Sequence, residues 1–432
     1  MKRIFLTAAL AALATSVFAQ DIPQTLNLSQ AFALLERENP VVLAARLKAM
    51  EAEMRAAATR SGWGPQLNLT AGQQYQTSNL QGIGLVFPGA GPRIGPYRVF
   101  DVRPRLSQTV LDLSLWSASR AAKLRAQADA AGSEAETEKV RLAVVELYVQ
   151  AVQADSRRRA AEARVESAEA VLRQARDREQ AGTGNKLDVA RAQEQLERER
   201  AGVVGALRDR NVTVAVLMRT LGVESAVQPT LEEISTTKSG VDVTLEAALQ
   251  GRAEMRVQAL LGASYREERR AAEGARWPKV IAQGDFGVTG RDPSRNLSTY
   301  MVGVGVSVPL WTSGRIANEI KAAEYRAQRQ KQEERQVRLE ISRDLEKARI
   351  EREAMGRITE LTSNAAAAAR TSLELALLRY GAGLATQLDV TTAQSELAQA
   401  EEDEIRARYD MVLAAARMAG AAGRLREFAD GQ

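Results

Sequence analysis

Along most of the chain, apolar residues recur every three or four positions. Val165, Ala168, Leu172 and Ala175 form one such run, and this spacing predicts an amphipathic helix with one buried stripe. Proline sets how far such helices can extend: none occurs between Arg105 and Gln228, and none follows Pro309. An interior proline costs about 3 kcal/mol, so uninterrupted helix is allowed over about 112–181 and about 312–381. At 1.5 Å per residue, about 70 residues make a rod of roughly 105 Å. A turn and a shorter helix follow each rod, over about 185–221 and about 386–424, and each half opens with a helical stretch, about 28–60 and about 244–276. In the first stretch, Asn39-Pro40 reads as a break and restart, with Asn as cap and Pro at the first helical position. The two shorter helices of a half together match the long one, so the simplest packing stacks them end to end beside it.

Between the opening helix and the rod of each half, the period changes from about 3.6 to 2. From Thr299 to Pro309, Tyr300, Val302, Val304, Val306 and Val308 face one way, and Gly303, Gly305 and Ser307 the other. From Lys279 to Thr289, Val280, Ala282, Phe286 and Val288 oppose Gln283, Asp285 and Thr289. Segments 65–77 and 97–110 alternate in the same way, with Leu67, Leu69 and Tyr75, then Phe100, Val102 and Leu106, on the apolar face. Such alternation over about ten residues fits an outer-membrane barrel strand, apolar toward lipid and polar toward the lumen. A soluble sheet with one wet face gives the same pattern. Trp63, Tyr97, Trp277, Tyr300 and Trp311 sit near the expected strand ends, where an aromatic girdle would lie. Four strands cannot close a barrel, and an open edge is forbidden in lipid. Several copies would therefore share one barrel. Eight strands are filled by their own side chains, whereas twelve leave a lumen, which favours three copies.

The helical pattern is also duplicated. AGTGNKLDVARAQEQL around Gly182 returns as AGLATQLDVTTAQSEL around Gly383. The unit is too long for a solenoid, so it predicts two halves of one architecture: a first repeat over 20–222, a second over 244–424, and a C-terminal tail at 425–432. Residues 223–243, with Pro229 and Gly240, lose the period and read as a linker or small cap. The fold class is mainly α with a small β part.

The N-terminus and the composition narrow the functional classes. Lys2 and Arg3, the apolar run Ile4–Leu13 and Val17-Phe18-Ala19 predict a signal peptide over residues 1–19, cleaved to expose Gln20. The chain holds no cysteine, so neither a lipid-bearing cysteine nor a disulfide is expected. Removing Lys2 and Arg3 lowers the formal charge from +5 to +3. Arg157-Arg158-Arg159 resembles a nucleic-acid patch, but Asp155 and Glu162 flank it, and an exported protein's solvated helix face is the better reading. No nucleic-acid partner is expected. The absence of histidine and cysteine removes the commonest general base, the usual metal ligands and the thiol nucleophile. No catalytic residue, cofactor or metal site is expected.

The duplicated helix–strand–strand–helix layout, the doubled Gly-x4-Leu-Asp-Val-x2-Ala-Gln segment, and Val308-Pro309-Leu310-Trp311 leading into Ser313-Gly314-Arg315 resemble the TolC-like outer-membrane efflux proteins. The resemblance covers about 25–425. It implies a homotrimer in outer-membrane lipid: a shared twelve-stranded barrel continuous with an α-helical tunnel. The periplasmic tip would meet an adaptor linked to an inner-membrane pump of RND or ABC type. Two alternatives stay open: a duct for type I polypeptide secretion, and a periplasmic coiled-coil adaptor or scaffold that never enters the membrane.

By this resemblance the two repeat segments form the tip. Gly182 and Gly383 permit its tight turns. Asp188 and Asp389 begin the returning helices, where a carboxylate complements the helix dipole. That capping role competes with a second reading, in which three copies of Asp389 ring the constriction and attract cations. Thr392 stands where some family members carry a second aspartate, so any ring is a single tier. Arg191, its counterpart in the first repeat, is spaced to pair with Asp188. Tyr380 falls where the family has a tyrosine that holds the tip closed; a packed interhelical aromatic is the alternative.

Overall fold

A computed structural model describes residues 23–80, 82, 84, 91, 93–224, 228–234 and 243–431; the expected signal peptide lies outside the described residues. The first repeat runs β1 (Thr25–Leu26), α1 (Leu28–Glu38), α2 (Pro40–Arg60), β2 (Gln66–Asn79), β3 (Arg93–Leu111), α3 (Leu113–Gln180) and α4 (Lys186–Thr220). After β4 (Thr230–Leu231), the second repeat runs α5 (Leu245–Gly251), α6 (Ala253–Gly274), β5 (Lys279–Asp292), β6 (Arg295–Ser307), α7 (Arg315–Gly381) and α8 (Gln387–Ala421), followed by α9 (Leu425–Asp430). The 68 residues of α3 make a rod of about 102 Å.

Asn39 is the joint between α1 and α2. Its side chain accepts from the amides of Val41 and Val42 and donates to the Thr220 carbonyl at 2.6 Å. One buried side chain thus caps α2 and seats the end of α4 on its start, which stacks the two end to end beside α3. Gly222 closes this junction with φ +88, and a Cβ there would lie 2.5 Å from the Glu38 carbonyl oxygen. The second repeat reuses the device with other residues. The helix expected over 244–276 breaks at Arg252, whose ψ of 123 is extended, because the end of α8 docks there. Arg252 donates to the Gly420 carbonyl at 3.3 Å, and Gly423 abuts Gly251. The residues read as a tail form α9, with Leu425 and Ala429 in the core. Across the helical wall α3 packs against α2 and α4 on one side and α6 on the other, while α7 packs against α6 and α8.

At mid-height the first repeat is bound to the segment that leads into the second. β1 and β4 pair in parallel, and the Tyr148 hydroxyl of α3 lies 2.8 and 2.9 Å from the Leu26 and Glu232 carbonyl oxygens, sharing its one proton between them. Burial pushes this phenol well above its usual range. Leu26, Leu35, Val144, Val149, Leu217 and Leu221 complete the core around it.

Strands β2, β3, β5 and β6 form one antiparallel sheet in that order. Its register sets Leu67 opposite Leu106, Val102 opposite Val288, Phe286 opposite Tyr300 and Val280 opposite Val306. Facing pairs in an antiparallel ladder share a side, so the four apolar stripes merge into one surface. That surface is open in the protomer: Leu67, Tyr300 and Val302 are 71, 78 and 82% exposed. The other face is polar, with Arg103 bound to Asp101 and to Asp285 at 2.8 Å. Two aromatics differ from their expected places. Tyr300 is mid-strand, and Tyr97 turns to the polar face, where Gln76 and Ser78 hold its hydroxyl. No described helix is long and apolar enough to cross a membrane.

Candidate functional site

The two repeat segments turn at the same end of the long helices. At each turn one glycine takes the left-handed conformation, Gly182 with φ +72 and Gly383 with φ +78. The amides of Thr183 and Gly182 bond the carbonyls of Arg178 and Glu179, and those of Leu384 and Gly383 bond Arg379 and Tyr380. Both are Schellman closures, in which the glycine satisfies carbonyls that a helix end leaves free.

The returning helices are capped differently. In the first copy Asn185 accepts from the Asp188 amide at 2.8 Å, and the Asp188 side chain takes no part in the cap. In the second, Thr386 and Asp389 form a reciprocal box: Oδ2 of Asp389 accepts from the Thr386 amide at 2.7 Å and hydroxyl at 2.8 Å. These bonds hold the Asp389 carboxyl below its ordinary value, the backbone bond contributing most. The side chain stays exposed, as does Thr392 one turn further on. The expected pair between Arg191 and Asp188 does not form among the described residues. Arg191 is exposed on α4, while Asp188 lies near enough to Tyr380 to act on its phenol.

Tyr380 is 2% exposed and packs with Val171, Leu172 and Ala175 of α3 and Val390 of α8. The two hairpins therefore share one core at the tip. Its hydroxyl is buried without a hydrogen-bond partner. Burial raises the phenol pKa most, Asp188 adds to the rise, and Arg178 opposes it. Arg178 was missed by sequence reasoning. Its guanidinium lies 4.5 Å from the Tyr380 ring centroid and donates to the carbonyls of Tyr380 and Thr183, so it clasps both turns. Shifting the repeat by 201 positions pairs Arg178 with Arg379, and this match of two arginines could have flagged it. Gln387, equivalent to Lys186, is buried with neither amide atom bonded.

The tip also exposes equivalent leucines. Leu187 and Leu388 are 56 and 58% exposed, with Leu384 beside the second at 72%. A cavity of about 650 Å³ lies elsewhere, where α6 starts and α8 ends, and charged side chains of both signs line it. Arg157, Arg158 and Arg159 pair with Glu402, Asp155 and Glu162 along the helices.

Comparison with known proteins agrees with this architecture. The chain is similar to outer membrane protein TolC of Vibrio cholerae serotype O1, 23% identical over 436 residues that cover 98% of this chain and 95% of the relative. A crystal structure of a membrane protein from Pseudomonas aeruginosa matches 92% of this chain and 90% of its own, with a TM-score of 0.78 at 19% identity. The open state of the Neisseria gonorrhoeae MtrE outer membrane channel matches 92% and 89%, with a TM-score of 0.77 at 18% identity. The family model of outer membrane efflux proteins matches residues 33–223 and 244–424, that is, both repeats. The chain thus belongs to the outer membrane efflux protein family, and is an outer-membrane channel protein rather than an enzyme.

Proposed function

We propose that three copies of the chain assemble into the exit duct of a tripartite efflux system, with a gate at the helical tip. One observation carries this reading: both layers of the protomer end at matching edges. The sheet leaves β2 and β6 unpaired at its two sides, and the wall leaves the α2–α4 stack on one side and α7 on the other. Those helices carry exposed apolar residues, Leu47, Met50 and Met54 on α2 and Leu339, Ile350 and Leu361 on α7. A head-to-tail contact between unlike edges closes a ring when its rotation permits. Lipid forbids a free strand edge, and three copies of four strands leave a lumen.

At the tip, the exposed leucines 187, 384 and 388 offer an apolar surface suited to a periplasmic adaptor, which would couple the duct to an inner-membrane pump of RND or ABC type. Asp389 is the gate's charge. Capping fixes one carboxylate oxygen, keeps the group ionised and leaves it exposed, so capping and a cation-attracting ring are compatible. Tyr380, with Arg178, holds the second hairpin against the first.

Cross-linking and planar-bilayer recording test this. The purified protein should run as a trimer and conduct poorly, with a preference for cations. Replacing Asp389 and Tyr380 together should raise single-channel conductance and reduce that preference. Unchanged conductance and selectivity in a trimeric double variant would reject the gate assignment.

A further inference from the structure

The two ends of the sheet carry different chemistry. All four tryptophans lie at the helix end: Trp63 and Trp116 meet edge to face with ring centroids 6.5 Å apart, and Trp277 and Trp311 are 60 and 86% exposed. Such a belt marks a membrane–water interface. The far end carries Arg93, Arg98, Arg291 and Arg295, all exposed. Over residues 76–100 and 288–300, these four arginines face one carboxylate, Asp292.

Arg98 has the clearest placement. It stands opposite Tyr75 in the β2–β3 ladder, on the apolar side that holds Leu67 and Leu69. Its Nη2 donates to the Tyr75 hydroxyl at 2.8 Å, and its guanidinium lies 5.3 Å from the ring centroid. Among the described residues no carboxylate is within salt-bridge distance of it. A guanidinium has five N–H donors, and among the described residues one of them is used. From Gln66, at the tryptophan end, to Tyr75 is nine residues of strand. At about 3.3 Å per residue and a tilt near 40°, that is roughly 23 Å of height, against an apolar band of about 25 Å. A positive fork with spare donors is therefore set on the lipid side, where the far leaflet's headgroups begin.

We propose that Arg98, oriented by Tyr75 and reinforced by Arg93, Arg291 and Arg295, binds the phosphate groups of a phosphorylated glycolipid in the outer leaflet. Guanidinium forks match phosphate geometry, and the helices fix this end of the sheet as the outer one. The proposal rests on the shared-barrel reading. Trimer formation by the wild type in detergent, followed by cross-linking, checks that reading separately.

The test is native mass spectrometry of the trimer titrated with bisphosphorylated lipid A, its dephosphorylated form, phosphatidylglycerol or inorganic phosphate. Wild-type protein should bind the bisphosphorylated lipid most tightly. Arg98→Gln should weaken it roughly tenfold, the loss of one charge-assisted bond. Arg105→Gln removes the same charge from the polar face, where Arg105 is also exposed, and should leave binding unchanged. Equal binding of the phosphorylated and dephosphorylated lipids would overturn the proposal, as would equal losses in the two variants. Preference for phosphatidylglycerol or free phosphate would also reject it. A wild type that forms no trimer would reject the barrel reading from which it starts.

Discussion

The turns at 178–190 and 379–391 are two copies of one backbone with different interiors. Both close on a left-handed glycine and a Schellman pair. The first faces solvent, with Glu179 partly exposed and Lys186 exposed. The second buries Tyr380 and Gln387 at the equivalent places. Duplication supplied a turn that needs only its glycine and cap, and side-chain divergence made one copy the anchor of the other. The second turn is also the one with unsatisfied polar atoms, the Tyr380 hydroxyl and the Gln387 amide. Such atoms cost stability wherever they stay buried and unpaired. A tip built this way is stabilised by packing and opposed by its own polar groups, which suits the gate proposed above.

The largest expected difference between the copies is at Tyr380. Tyr380→Ala should cost about 3 kcal/mol locally, a roughly hundredfold rise in opening measured by hydrogen exchange over residues 376–392. Glu179→Ala, at the matching site, should stay within about 0.5 kcal/mol. Tyr380→Phe sharpens the point. With an unpartnered hydroxyl, it should leave protection unchanged or raised; reduced protection would mean a neighbouring protomer bonds that hydroxyl. Arg178→Ala comes next, at about 2 kcal/mol, because it removes charge-assisted bonds to both turns. Arg379→Ala should cost far less, and equal losses would refute the asymmetry.

The backbone of this comparison was legible from residues, and its interior was not. Proline-free stretches and apolar spacing give the long helices to within a few positions, because helix length is set locally. Period-two alternation likewise finds the four strands, although Arg93–Pro96, Gly290–Asp292 and Arg295–Ser298 extend beyond it. There the ladder partner, rather than alternation, holds the chain extended. The break at Arg252 carries no local signal, since a docking helix 168 positions away in sequence imposes it. The clasp of Arg178 on Tyr380 and the buried state of Gln387 were hidden for the same reason. Both depend on packing of one hairpin against the other, which a single repeat does not encode.

The shared backbone makes its own, smaller prediction. Gly182→Ala and Gly383→Ala each force a Cβ into the left-handed region and should cost about 1–2 kcal/mol. The two values should agree within about 0.5 kcal/mol, because neither glycine has a crowding neighbour within 3.4 Å. Loss of protection around each turn would be read by hydrogen exchange. A markedly larger cost at Gly383 would show that the second turn is constrained by more than its own closure.

The smallest effect separates the two caps by acid. Asn185 caps the first returning helix with an amide that does not titrate, whereas Asp389 closes the second with a carboxylate. The Asp389 pKa is depressed below 3.8 in the folded protein. A depressed carboxyl contributes stability that is fully present above the unfolded value and lost as pH falls through the folded one. Protection of residues 386–391, corrected for the intrinsic exchange rate, should therefore hold from neutral pH down to about 4 and fall below it. Protection of residues 185–190 should not change over the same range. Asp389→Asn, which keeps the shape and removes the titration, should abolish the acid step in the second turn. If both turns lose protection together, the acid response belongs to the shared core around Tyr380 rather than to the cap. The carboxylate would then be free to serve the proposed ring at the constriction alone.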